Sequence, residues 1–100
     1  MYRNLLILAA AGLASPALAT AYQAAPAHQP ERTVVVTRDN VWRCGAAGCE
    51  SSGATSRPAV VCAQLVRELG ALRSFSVDGR VFTDEELARC NRRAGGSNQG

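Results

Sequence analysis

Four cysteines, Cys44, Cys49, Cys62 and Cys90, in a chain of 100 residues constrain the fold more than any other feature. An even set in so short a polypeptide is the composition of two disulfides, provided that the chain leaves the reducing cytoplasm. The amino end supplies that condition. Arg3 gives a positive start, Leu5 to Ala14 an apolar run, Ser15-Pro16 a helix-breaking step, and Ala17-Leu18-Ala19 the small side chains that a signal peptidase accepts. Residues 1–19 therefore read as a signal peptide cut after Ala19, with Ala21 offering a second site. The apolar stretch, about 14 residues, is shorter than the roughly 20 that span a bilayer. No cysteine follows the cut, so no lipid anchor is expected. The product is expected to be exported, in the periplasm or outside the cell, with no stable membrane insertion after cleavage.

Three pairings of four cysteines exist. Cys44 and Cys49 bracket Gly45-Ala46-Ala47-Gly48, small residues suited to a tight reversal. Residues flanking such a loop face each other at about the Cα spacing a disulfide needs, roughly 4.4–6.8 Å. Cys44–Cys49 with Cys62–Cys90 is the favoured pairing; the alternative links Cys44 or Cys49 to a helix. A redox pair normally shows Cys-x-x-Cys at a helix start, and a four-cysteine zinc site two close pairs. The observed x4, x12, x27 spacing fits neither well.

The rest of the chain divides by pattern. Thr20 to Arg32, rich in Ala, Pro and Gln without an apolar period, reads as a flexible tether over residues 20–32. Thr33 to Thr37 and Val41 to Cys44 read as strands, and Glu50 to Ser56 as a loop. From Pro58 the period becomes helical, with Ala59, Cys62, Leu65, Val66 and Leu69 on one face, Ser56 as cap, Gly70 as stop, and Val60 off the stripe. Asp78-Gly79 between Phe75 and Phe82 predicts a two-residue hairpin that sets the two rings opposite each other, with Val77 on their side. Thr83 and Glu86 form a capping box, and Phe82 and Leu87 a hydrophobic staple, for a short helix from Asp84 to about Cys90. Glu85 precedes Arg89 at the favourable i, i+4 spacing. Residues 93–100 read as a disordered tail.

The expected fold is therefore α+β, of order ββ-α-ββ-α, with two helices packed on short antiparallel hairpins and residues 33–92 as the folded domain. Apolar residues are 47% of the chain, yet only 33 of the 81 residues past the leader are apolar, so the core is small. A domain of about 60 residues buries only about 60% of its unfolded surface. Closing loops of 6 and 29 residues adds about 2 and about 3.6 kcal/mol in the chain-entropy picture, which rivals the whole stability of such a domain.

Several chemistries find no support. The single histidine, His28, falls in the tether, which leaves the folded part without an imidazole for general-base or hydrolytic-triad work. Asp84, Glu85 and Glu86 are explained as first-turn helix acids rather than paired catalytic carboxylates. Arg38, Arg43, Arg57, Arg73 and Arg80 could form a basic strip for phosphate or an acidic envelope surface, but interspersed acids favour a solvated surface. Charge is too weak for a nucleic-acid face. Trp42 reads as a core anchor. No catalytic residue, cofactor or metal site is expected.

Taken together, Trp42-Arg43-Cys44-x4-Cys49, Arg57-Pro58-x-x-Val61-Cys62, Gly70-x-Leu72-x-Ser74-Phe75, Gly79-x-x-Phe82 and Cys90-Asn91 resemble a family of small exported four-cysteine proteins of high-GC proteobacteria. The resemblance spans about residues 33–92. Eighteen alanines, and arginine at all 11 basic positions, agree with GC-rich coding. The resemblance implies a periplasmic or secreted protein and brings no functional residue with it. The expected role is a non-enzymatic envelope or secreted interaction or structural module, whose partner would be an envelope protein or cell-wall component. A thiol-dependent redox protein using Cys44 and Cys49, and a small secreted inhibitor, are the alternatives.

Overall fold

A computed structural model describes residues 20–53 and 56–99, with side chains through Ala94. The leader expected over residues 1–19 lies outside the described residues. Strands β1 (Ala21–Pro26), β2 (Val34–Val36), β3 (Val41–Gly45), β4 (Gly48–Ser52), β5 (Leu72–Val77) and β6 (Arg80–Val81), with helices α1 (Pro58–Leu69) and α2 (Asp84–Gln99), follow one another as β1-β2-β3-β4-α1-β5-β6-α2. The fold is the expected α+β type, but the strands form one six-stranded antiparallel sheet, in the order β2-β3-β4-β1-β5-β6.

The first correction concerns the expected tether. Residues 21–26 are not a linker: β1 lies in the middle of the sheet and joins the three strands β2-β3-β4 to the β5–β6 hairpin. It pairs with β4 through Ala21↔Ser52 to Ala24↔Cys49, and with β5 through Tyr22↔Val77 to Pro26↔Leu72. Alternation is present, since Tyr22, Ala24 and Pro26 are buried while Ala21 and Gln23 are exposed. Alanine and proline hide it from any propensity scale. Pro26 is tolerated because it ends the strand at a register shift, where its missing N–H is not demanded, and the ladder resumes with Ala27 N–H donating to the Ala71 carbonyl at 2.9 Å.

Three further expectations change. The loop expected from Glu50 begins with strand residues, because β4 is held by β3 on one side and β1 on the other. Ser56 does not cap α1; its hydroxyl donates to the Asp39 carboxylate, and Arg57 stands at the cap without a side-chain hydrogen bond. The disordered tail is replaced by helix, since α2 continues past Cys90 to Gln99. Ala94, one turn beyond Cys90, is buried against the same core, and no proline interrupts the chain there.

The remaining elements form as their residues dictate. α1 starts with Pro58 and closes with Gly70 N–H donating to the Val66 carbonyl at 2.8 Å. Its buried face is Val61, Cys62, Leu65 and Val66, one residue round from the expected stripe, while Ala59 and Val60 are exposed. Asp78 and Gly79 both take positive φ, 52° and 85°, as a type I′ turn requires. Phe82 N–H donates to the Phe75 carbonyl and the rings sit 4.8 Å apart. The capping box is complete: Thr83 N–H donates to Glu86 Oε1 at 2.9 Å and Glu86 N–H to Thr83 Oγ1 at 3.1 Å.

Helices and strands share one core. Trp42, Phe75, Leu65, Val35, Val61, Val66 and Cys62 are fully enclosed, and Tyr22 brings its ring to 6.2 Å from Trp42 and 5.9 Å from Phe75. Burial pushes the Tyr22 phenol above its ordinary pKa, and the nearby Asp78 carboxylate adds to the shift. Cys44 bonds to Cys49 across the β3–β4 ladder, and Cys62 of α1 bonds to Cys90 of α2. Asn91 then ties α2 to the sheet, accepting from Leu72 N–H and donating to the Leu72 carbonyl, both at 2.9 Å.

Candidate functional site

Helical spacing puts Val60, Ala63, Gln64 and Arg67 on one side of α1, and Glu86, Arg89, Cys90 and Arg93 on the facing side of α2. The Cys62–Cys90 bond fixes the distance between the two helices. Between them, bordered also by the β2–β3 connection and by Arg80 and Phe82, lies an open groove of about 970 Å³. Its polar wall is made of arginine: Arg38, Arg57, Arg67, Arg80, Arg89 and Arg93 all line it.

The charge is concentrated there. Six arginines and two glutamates, Glu68 and Glu86, give the lining a formal charge of +4. The remaining five arginines and six acids of the sequence sum to −1, which accounts for the net +3 of the chain. Both glutamates are engaged: Glu68 accepts from Arg32 at 3.4 Å, and Glu86 lies 3.6 Å from Arg80. The Thr83 backbone N–H holds the Glu86 carboxyl below its ordinary range, with Arg80 adding to the effect against partial desolvation. Among the described residues, no carboxylate lies within 4 Å of Arg38, Arg57, Arg67, Arg89 or Arg93. The expected Glu85–Arg89 contact is not made; Glu86, drawn in by the capping box, takes Arg80 instead.

This geometry divides the basic strip expected from sequence. Arg38, Arg57 and Arg80 meet in the groove, whereas Arg43 and Arg73 lie outside it. Arg43 stands opposite Glu50 on the uncovered sheet face. Three groove arginines, Arg67, Arg89 and Arg93, are not in the expected strip; the i, i+4 spacing of Arg89 and Arg93 is a sequence signal that sets those two on one side of α2, and Arg67 carries no such signal. Apolar surface shares the lining, since Val36 and Val60 are exposed at 62% and 38%.

The other expected site residues take structural places. All four cysteines are in disulfides, with Cys44 and Cys49 buried in the core. Asp84, Glu85 and Glu86 form the first turn of α2. His28 is exposed on the β1–β2 connection. Among the described residues, no three His, Cys, Asp or Glu side chains gather as a metal site, and no helix is long and apolar enough to cross a membrane. The arrangement can hold an anion by charge and by guanidinium hydrogen bonds.

A family model described as a family of unknown function (DUF8200) matches residues 6–92. The match extends the 33–92 resemblance forward through β1 and into the apolar run near the amino end. No curated protein and no solved structure matches the chain.

Proposed function

The chain belongs to this family of unknown function, and we propose that it is an exported, non-enzymatic interaction module whose working surface is the arginine groove between α1 and α2. The observation that carries the reading is the uneven charge, +4 in one groove and −1 over everything else. Arginines without carboxylate partners repel one another across a shared groove and find their counter-charge in a ligand.

Export is supported by the amino-terminal pattern and by two disulfides that require an oxidising compartment. The cut after Ala19 rather than Ala21 is favoured by the hydrogen bonds of the two residues between. The Thr20 carbonyl accepts from Gly53 N–H at 2.9 Å. Ala21 N–H donates to Asp78 Oδ1 at 2.8 Å, and its carbonyl accepts from Asp78 N–H at 2.7 Å. A cut after Ala21 removes all three bonds from the edge of the core. The periplasm or the cell exterior is the proposed location, and an envelope protein or cell-wall component the proposed partner.

Co-purification of the tagged mature protein from its native host, beside an Arg57→Glu/Arg89→Glu variant, tests the reading. A partner recovered with the wild type and lost with the variant supports it. Recovery of no partner, or measurable thiol-exchange activity from Cys44–Cys49, contradicts it.

A further inference from the structure

We propose that the groove between α1 and α2 receives an acidic, amphipathic peptide segment of a partner protein, an assignment that rests on the interaction-module reading and adds the chemistry of the ligand. The groove's shape, its mixed lining and the placement of the aromatic rings together select this class.

The lining alternates charge with apolar surface. On α1, Ala63 lies one turn and Val60 two turns before Arg67 on the same side; across the groove, the exposed Val36 of β2 lies two residues from Arg38. A ligand that satisfies both must carry carboxylates or phosphates beside apolar groups. A volume of about 970 Å³ is at the upper end of small-molecule sites, roughly 300–1,000 Å³, and far exceeds what a lone inorganic anion fills. The site is concave and bounded by two helices, whereas a membrane surface is met by a flat or convex basic face. Single-stranded nucleic acid is bound on exposed aromatic platforms, and here Tyr22, Trp42, Phe75 and Phe82 are all buried. A peptide with alternating acidic and aliphatic side chains meets each condition, its carboxylates taken by Arg57, Arg67, Arg89 and Arg93 and its apolar side chains by Val36 and Val60.

The Cys62–Cys90 bond places the arginine rows of the two helices at a fixed separation before any ligand arrives, and so removes part of the ordering cost of binding. Glu86 takes part indirectly. By holding Arg80 at 3.6 Å it occupies the one groove arginine that has an internal partner, leaving the other five to the ligand.

The test is fluorescence polarisation on the mature, oxidised protein with a labelled peptide of alternating Glu and Leu. Probes for comparison are the same peptide with Lys for Glu, inorganic pyrophosphate as competitor, and phosphatidylglycerol vesicles. Saturable binding of the Glu–Leu peptide alone is expected, weakening as salt rises. Arg57→Glu/Arg89→Glu should lower its affinity on the order of tenfold or more, while Arg43→Glu, on the uncovered sheet face, leaves it within about twofold. Circular dichroism and melting of each variant separate lost binding from lost fold, and these arginines, being exposed, leave the core intact. No binding of the Glu–Leu peptide, equal effects of the groove and Arg43 variants, or preferential binding of vesicles or pyrophosphate would overturn the assignment. A host partner whose recovery depends on the groove, with no response to the Glu–Leu peptide, removes the ligand class alone; recovery of no partner removes the module reading itself.

Discussion

At the residue scale, individual positions are fixed by backbone geometry that side-chain chemistry then exploits. Gly48 has φ +122°, and a Cβ built on it would stand 2.8 Å from the Ala24 carbonyl oxygen, so β4 approaches β1 closely only because this position has no side chain. Gly48→Ala is expected to destabilise the fold by about 1–3 kcal/mol, measurable by urea unfolding; an unchanged midpoint would mean that the two strands are not packed as described. Glu86 shows the same dependence through charge. Its folded pKa is depressed, first by the Thr83 N–H. Its contribution is therefore complete above the ordinary glutamate value and is lost as pH falls through the lower folded value. The melting temperature of the wild type should drop more steeply than that of Glu86→Gln as pH descends through the carboxylate range. Parallel profiles would remove Glu86 from the capping of α2.

At the element scale, legibility followed side-chain chemistry. The Asp78-Gly79 hairpin, the Thr83–Glu86 capping box, the extent of α1 and the Cys44–Cys49 bond are local patterns whose residues announce them, and the structure contains each, along with the long-range Cys62–Cys90 bond that the favoured pairing leaves over. β1 and β4 were not legible. Their strand state comes from ladders on both sides, whose hydrogen bonds are made by backbone groups that alanine, serine and glycine carry as well as valine does. The groove was half legible, because Arg38, Arg57 and Arg80 stand out in sequence, yet what unites them with Arg89 and Arg93 is the packing of α1 on α2. The two disulfides divide the stabilisation between these elements. The 28-residue separation of Cys62 and Cys90 and the 5-residue separation of Cys44 and Cys49 correspond to about 3.6 and about 2 kcal/mol in the chain-entropy picture. Cys62→Ala/Cys90→Ala should thus lower the melting temperature more than Cys44→Ala/Cys49→Ala, and it alone should slacken the groove. The reverse order in calorimetry would show that strain or residual unfolded structure dominates instead.

At the scale of the whole molecule, maturation and folding meet at one point. The first residues after the proposed cut enter the sheet at its centre, where Tyr22 closes the aromatic cluster of Trp42 and Phe75. A chain whose central strand is its newest end has little core to spare, and the two covalent bonds compensate for that shortage. The intact mass of the protein isolated from its native host, before and after alkylation without reduction, examines the whole arrangement at once. The expected species begins at Thr20, is lighter than the thiol form by four hydrogens and takes up no alkylating agent. A species that retains the leader, begins at Tyr22, or is alkylated at its cysteines would contradict an exported domain locked by two disulfides around its first strand.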